Sequence, residues 1–274
     1  MNRCVAFQGE RGAFSEGALL RFFGLSADPI PCRNFAEVFR KVELDEIEFG
    51  VVPIENSIEG SVNQVYDLLL EHDLLVCGEI VEKIVHCLIV NPRAELKSIK
   101  TVYSHSQALA QCRVFLDNLG CSVFPTFDTA GSVKQLMESR NLEGGAIASQ
   151  QAAEVYGMKI VARNIADNPD NYTRFLVISK TEVPFCTNAK TSIIFSVEHS
   201  PGTLYDALKE FSDAEINLTK IESRPTKKEP WRYNFYLDFE GHREDPQCSE
   251  ALSKLGRKCR MVKLLGSYSK AETL

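Results

Sequence analysis

Four stretches of this chain carry residue types that could handle an anionic substrate. Asn171-Tyr172-Thr173-Arg174-Phe175 runs into the apolar Leu176-Val177-Ile178 and reads as the mouth of a short buried strand. A guanidinium is always charged and its planar fork matches a carboxylate. A threonine hydroxyl can donate a hydrogen bond without adding charge. The second stretch, Glu55-Asn56-Ser57-Ile58-Glu59-Gly60-Ser61, sits between the apolar run Phe49–Ile54 and a helical spacing of Val62, Val65, Tyr66 and Leu69. It holds carboxylates, an amide and hydroxyls at a strand end, where open α/β sheets bind ligands; Ser57 or Ser61 could equally cap the helix.

Ser104-His105-Ser106-Gln107 also stands between a strand and a helix, with Ser104 and Gln107 at capping-box spacing. A helix N-terminus disfavours an imidazolium, so His105 fits a neutral hydrogen-bonding role there, or a structural one. In the fourth stretch, Gly9-Glu10-Arg11-Gly12 breaks a strand and opens a helix with Ser15 in its first turn. Two glycines do not make the dinucleotide fingerprint, but the arrangement suits one wall of an anion pocket.

Composition narrows the partners. With 31 basic against 37 acidic residues and a net charge of −6, neither nucleic acid nor an anionic membrane surface is expected. Nine cysteines lie scattered, with no Cys-x-x-Cys pair, which argues against a zinc site or a disulfide framework. No apolar run approaches the length of a membrane span, and Met1-Asn2-Arg3-Cys4-Val5 does not open a secretory leader. The expected compartment is the cytoplasm.

The elements that must position these stretches follow from periodicity. Strand-like and helix-like segments alternate through residue 180, the pattern of a mainly parallel sheet covered on both faces. Asn34 and Glu37 have capping-box spacing ahead of the helical stripe Phe35, Val38, Phe39 and Val42. Leu74 to Val90 is extended and apolar and should cross between two lobes. Thr181 to Ala189 reads as a linker.

Beyond it the order is βαββαβ, a ferredoxin-like unit. Ser200-Pro201 and Asp245-Pro246 are cap-plus-N1 pairs, ahead of the stripes Leu204, Ala207, Leu208, Phe211 and Cys248, Ala251, Leu252, Leu255. Trp231, Tyr233, Phe235, Leu237 and Phe239 alternate as a strand. Helices on one face leave the other face of this sheet for a second copy.

Together, Gly9–Ser15, Val52–Val62, Ser104–Leu109 and Asn171–Phe175 resemble the prephenate dehydratases, and the chain from Thr191, including Ile221-Glu222-Ser223-Arg224-Pro225, resembles their ACT regulatory domain. The resemblance implies a two-lobed catalytic domain like type II periplasmic binding proteins over residues 1–182, a linker over 183–190 and an ACT domain over 191–274. It implies decarboxylative dehydration of prephenate to phenylpyruvate without a cofactor or metal, feedback inhibition by L-phenylalanine, and a homo-oligomer joined through ACT domains. The residues it singles out for catalysis are Thr173, Arg174, Glu55 and His105. Ser15, Asn56, Ser57, Ser104 and Phe175 would line the substrate site, with Arg174 holding a carboxylate. Gly202, Thr203, Leu204, Asn217 and Leu218 would meet the effector. Arogenate dehydration and a non-catalytic amino-acid sensor are the alternatives.

Overall fold

Strands with apolar faces and helices with one apolar stripe bury themselves by stacking in layers. The computed structural model, which describes residues 3–227 and 229–271, does this in three units. The first lobe comprises β1 (Cys4–Gln8), α1 (Phe14–Phe23), β2 (Asp28–Cys32), α2 (Phe35–Glu43), β3 (Phe49–Asn56), the short β4 (Gly60–Ser61), α3 (Asn63–Glu71) and β5 (Leu75–Lys83). The second holds β6 (Cys87–Val90), β7 (Thr101–His105), α4 (Ser106–Gln111), α5 (Arg113–Leu119), β8 (Ser122–Thr126), α6 (Thr129–Ser139), β9 (Gly144–Ala148), α7 (Gln150–Val155) and β10 (Lys159–Arg163). The chain returns to the first lobe as β11 (Tyr172–Ser179). The C-terminal domain follows with β12 (Ala189–Ser196), α8 (Thr203–Asp213), β13 (Leu218–Pro225), β14 (Tyr233–Glu240), α9 (Pro246–Lys258) and β15 (Met261–Ser269).

The lobes' sheets run β2-β1-β3-β11-β5 and β10-β6-β9-β7-β8. They are mixed rather than mainly parallel. β1 is parallel to β2 and β3, but β11 comes back antiparallel to both β3 and β5. A chain that leaves a lobe and re-enters it inserts its returning strand against the local direction. The extended stretch around residue 84 crosses between lobes as its apolar length suggested, since β5 and β6 belong to different sheets. Two hydrogen bonds tie the two crossings together: Ile84 N–H donates to the Asn171 carbonyl at 2.8 Å, and Ile165 N–H to the His86 carbonyl at 3.1 Å.

In the C-terminal domain the sheet order is β13-β14-β12-β15. Ile193, Phe195, Leu237 and Phe239 meet Ala207, Phe211, Ala251 and Leu255 of the two helices. The opposite face is not open to a second copy. Ile194, Tyr236, Leu265 and Tyr268 pack there against Val65, Tyr66, Leu69, Leu74 and Val76 of the first lobe. Burying an apolar side chain of this size contributes about 1.5–3 kcal/mol, enough over several residues to hold the two units together. Close approach needs Gly266, whose φ is +147° and where a Cβ would collide with the Val76 carbonyl.

Three local expectations change. Trp231 lies outside β14, with φ +63° and 78% exposure, because the preceding hairpin is still turning there. α8 starts at Thr203 behind Gly202 at φ +88°, so Pro201 precedes the helix instead of occupying N1, whereas Pro246 does open α9. Finally, α4 is capped by His105, whose Nδ1 accepts from Gln107 N–H at 3.3 Å, and not by Ser104, which is still in β7.

Candidate active site

Successive side chains of a strand point to opposite faces, and this rule divides the conspicuous pentapeptide. In the β11–β3 ladder Thr173 stands opposite Asn56 and Arg174 opposite Glu55, with a bulge before Phe175 meets Pro53. Thr173, Phe175, Asn56 and Pro53 line a cavity of about 580 Å³ between the lobes. Arg174 and Glu55 face the other way, towards the C-terminal domain.

The cavity also takes in Ser15, His105, His86, Gln111, Glu59 and Asp128, with an apolar component from Phe14, Phe35, Phe127 and Ile84. Its size suits a small organic molecule. No lysine or arginine lines it among the described residues. Instead, the first residues of α1 (Phe14, Ser15), α3 (Asn63, Gln64) and α6 (Thr129) open onto it. The first amides of a helix lack intrahelical acceptors and carry the positive end of the dipole, so they can hold carboxylates. Burial raises the Asp128 carboxyl above its ordinary range, against the Gly131 N–H that it caps.

A polar chain runs along the cavity between the lobes. Asn56 Nδ2 donates to Thr173 Oγ1 at 2.9 Å and to Asn171 Oδ1 at 2.7 Å. Asn56 Oδ1 accepts from the Ile58 and Glu59 amides, which fixes the orientation of the side chain. Asn171, fully buried, donates through Nδ2 to Gln111 Oε1 at 2.9 Å. Gln111 Nε2 reaches Glu59 Oε1 at 3.1 Å, and His86 Nε2 lies 2.9 Å from Gln111 Oε1. Because Gln111 Oε1 can only accept, His86 is the Nε2–H tautomer, and its Nδ1 has no partner among the described residues. Burial, outweighing the pull of the Gln111 bond, holds His86 below the usual histidine range.

His86, Gln111 and Asn171 were not among the site residues expected from the motifs. His86 sits in one crossing and Asn171 in the other, and their meeting at Gln111 is a product of the fold. The residues that were expected divide. Thr173, His105, Ser15, Asn56 and Phe175 share the cavity. Ser57 does not line it: Oγ donates to the Asp170 carbonyl at 3.2 Å and accepts from Tyr172 N–H at 3.0 Å, stapling the loop to the returning crossing. Ser104 is fully buried, its Oγ donating to the Ile147 carbonyl at 2.6 Å.

Arg174 Nη1 lies 2.7 Å from Asp238 Oδ2 and 3.2 Å from Glu79 Oε2. Its Nε is 2.7 Å from Glu55 Oε1, close enough for an ion pair although its N–H is not aimed at that oxygen. Burial alone would make the charged form costly, but Asp238 and the surrounding carboxylates keep Arg174 firmly protonated. Glu55 also pairs with Lys220. Neither Arg174 nor Glu55 is among the residues that line the cavity.

Residues 5–183 match the family model for prephenate dehydratase, and 191–257 match the ACT domain. The chain belongs to the prephenate dehydratase family. It is 46% identical to a bifunctional chorismate mutase/prephenate dehydratase of Aquifex aeolicus, over 97% of this chain and 74% of that protein. It is 43% identical to a prephenate dehydratase of Methanocaldococcus jannaschii, over 98% of both. A crystal structure of an Arthrobacter aurescens prephenate dehydratase in complex with L-Phe superposes with a TM-score of 0.90 at 33% identity, covering 97% of this chain and 90% of that one. The family is one of lyase-type dehydratases with a two-lobed catalytic domain and an ACT domain, which is the architecture seen here.

In the ACT domain, Gly202, Thr203 and Leu204 stand at the start of α8, while Asn217 and Leu218 follow its far end. The rise of an eleven-residue helix separates the two groups by about 15 Å. Thr203 Oγ1 donates to the Glu198 and Ser200 carbonyls, so its hydroxyl closes the turn before the helix. Asn217 Nδ2 donates to Glu240 Oε2 at 3.1 Å.

Proposed function

We propose that the cavity converts prephenate to phenylpyruvate with Thr173 as the hydrogen-bond donor to the departing oxygen. The observation that carries this is the Asn56 bond. Thr173 Oγ1 already accepts a hydrogen from Asn56, so its own hydrogen is free to point into the cavity that it lines. Prephenate carries a carboxylate and a hydroxyl at opposite ends of its ring. As the bond from ring carbon to carboxylate breaks to release carbon dioxide, its electron pair moves through the ring and displaces the oxygen from the opposite carbon. The ring becomes aromatic as that carbon–oxygen bond breaks, and the departing oxygen takes a proton to leave as water. Aromatisation supplies the driving force, so the site needs orientation and one well-placed donor rather than a strong base.

His105 supports the same step. Its Nδ1 is occupied by Gln107 N–H, which leaves Nε2–H as a donor on a residue that lines the cavity. Glu55, shielded by Arg174 and Lys220, is not used as a relay. The substrate's carboxylates are held by the open amides of α1 and α3, the first turn of α6 being capped by Asp128, and this replaces the grip assigned to Arg174 from its motif. Such a grip orients an anion without placing a cation beside the carboxylate that must leave.

Arogenate differs only by an amine in place of the side-chain ketone. Incubating the purified protein with prephenate and, separately, with arogenate, and following phenylpyruvate and phenylalanine, tests both substrates. We expect phenylpyruvate from prephenate; turnover of neither compound would favour a sensor.

L-Phenylalanine is the expected effector, with Gly202, Thr203 and Leu204 of one copy and Asn217 and Leu218 of another around it. The span of α8 keeps those two groups apart within one chain, which supports a site shared between ACT domains of a homo-oligomer. With the free face of the ACT sheet covered by the first lobe, the copies would join through edges or helices. The nine cysteines are all unpaired, which fits a reducing compartment such as the cytoplasm.

A further inference from the structure

The side of the β3–β11 pair that faces away from the cavity is gripped by the ACT sheet. Alternate residues of β13 share one face: Lys220 pairs with Glu55, and Glu222 accepts from Ser61 Oγ at 2.6 Å. Glu55 and Ser61 are themselves cross-strand partners in the β3–β4 ladder, and Ser61 lines the cavity. From β14, Asp238 holds Arg174 at 2.7 Å while its other oxygen accepts from Ser192 Oγ at 2.6 Å. The gripped residues adjoin Thr173 and Asn56 in the chain, and their own pair follows the Thr173–Asn56 pair in the ladder.

We propose that Lys220 and Asp238 are positioning residues for the dehydration, fixing the Glu55–Arg174 pair and through it the geometry of Thr173 and Asn56 on the opposite face. A strand pair broken by a bulge at this point has a weak ladder of its own. An unsupported Arg174–Glu55 pair would leave Thr173 free to shift by a fraction of an ångström, and misplacement on that scale is costly to a reaction that depends on orientation. The grip also gives the ACT domain a direct handle on the site. Lys220 lies on β13 two residues after Leu218, and Asn217 immediately precedes that strand, with a register irregularity between Leu218 and Lys220. A change in that segment when effector binds would act on Glu55. This inference rests on the reading of the cavity as a prephenate site.

The test compares wild type with Lys220→Met, Lys220→Arg and Asp238→Asn in the full chain. Asn at 238 keeps an oxygen for Ser192 while removing the charge opposite Arg174. We expect kcat on prephenate to fall at least tenfold in Lys220→Met and Asp238→Asn, with KM within threefold and most of the rate restored in Lys220→Arg. Amide hydrogen exchange should quicken at least tenfold in segments 54–57 and 172–175 and stay unchanged in β1. Wild-type kcat with wild-type exchange in both charge-removing variants would overturn the proposal. So would exchange that rises equally across the first lobe, the mark of a merely structural role. Should wild type turn over neither prephenate nor arogenate, the functional reading fails, and the exchange comparison still decides whether the ACT sheet orders these strands.

Discussion

Thr173 Oγ1 and Asn56 Nδ2 lie 2.9 Å apart, and the amide is the donor. That one direction sets the polarity of the site. The Asn56 side chain is oriented by two backbone amides at its oxygen, so it presents hydrogens to Thr173 and Asn171. The threonine therefore faces the cavity with its proton. Asn56→Ala should leave that proton undirected and lower kcat by about 10²-fold, the scale associated with misplaced groups. Steady-state kinetics on prephenate would show it, with KM changing far less.

Gln111 joins both crossings and reaches Glu59 on the first lobe. Gln111→Leu keeps the volume but strands the His86 Nε2–H and the Asn171 Nδ2–H in a buried place. Each unmade bond of this kind costs about 1–3 kcal/mol, so the variant with two of them should lose about 2–6 kcal/mol in a urea titration, alongside its activity.

His86 gives the protein an acid sensitivity of defined sign. Its folded pKa lies below the unfolded value, so the unfolded state binds more protons as the solution becomes acidic. The stability that goes with neutral His86 is complete above the ordinary histidine range, about pH 6.5, and is lost as pH falls through the depressed folded value. Thermal midpoints recorded from pH 8 to pH 5 should decline, and the decline should be shallower in His86→Asn.

Docking of the ACT sheet depends on the bare backbone of Gly266. Gly266→Ala would force a methyl group against the Val76 carbonyl at a φ that side chains seldom adopt. We expect a loss of about 2–4 kcal/mol, on the scale of overpacking combined with backbone strain. Limited proteolysis in the linker should quicken in parallel, since β5 and β15 separate first.

Much of this was legible in the sequence. Periodicity marked the helical stripes, the crossing near residue 84 and the βαββαβ unit, because each follows from local burial. The motifs led to Thr173, Asn56, Ser15, His105 and Phe175, which do share one cavity. Arg174 and Glu55 stand beside Thr173 and Asn56 in the chain, but strand alternation turns their side chains to the face away from the cavity, which the motifs alone do not reveal. His86 and Gln111 gave no signal, and Asn171 opens the pentapeptide without showing its partners, because the three are far apart in sequence and meet only when the two crossings pair. The cover on the ACT sheet was equally hidden: Ile194, Tyr236, Leu265 and Tyr268 mark an apolar face without revealing whether the protein's own lobe or a second copy fills it.

The most direct test is the rate of Thr173→Val on prephenate, since valine keeps the shape and removes only the hydroxyl. If Thr173 donates to the departing oxygen, kcat should fall by about 10²–10⁴-fold, the usual worth of a positioned proton donor, with substrate binding within a few-fold of wild type and Thr173→Ser largely active. A Thr173→Val enzyme that releases phenylpyruvate at near the wild-type rate would contradict the assignment.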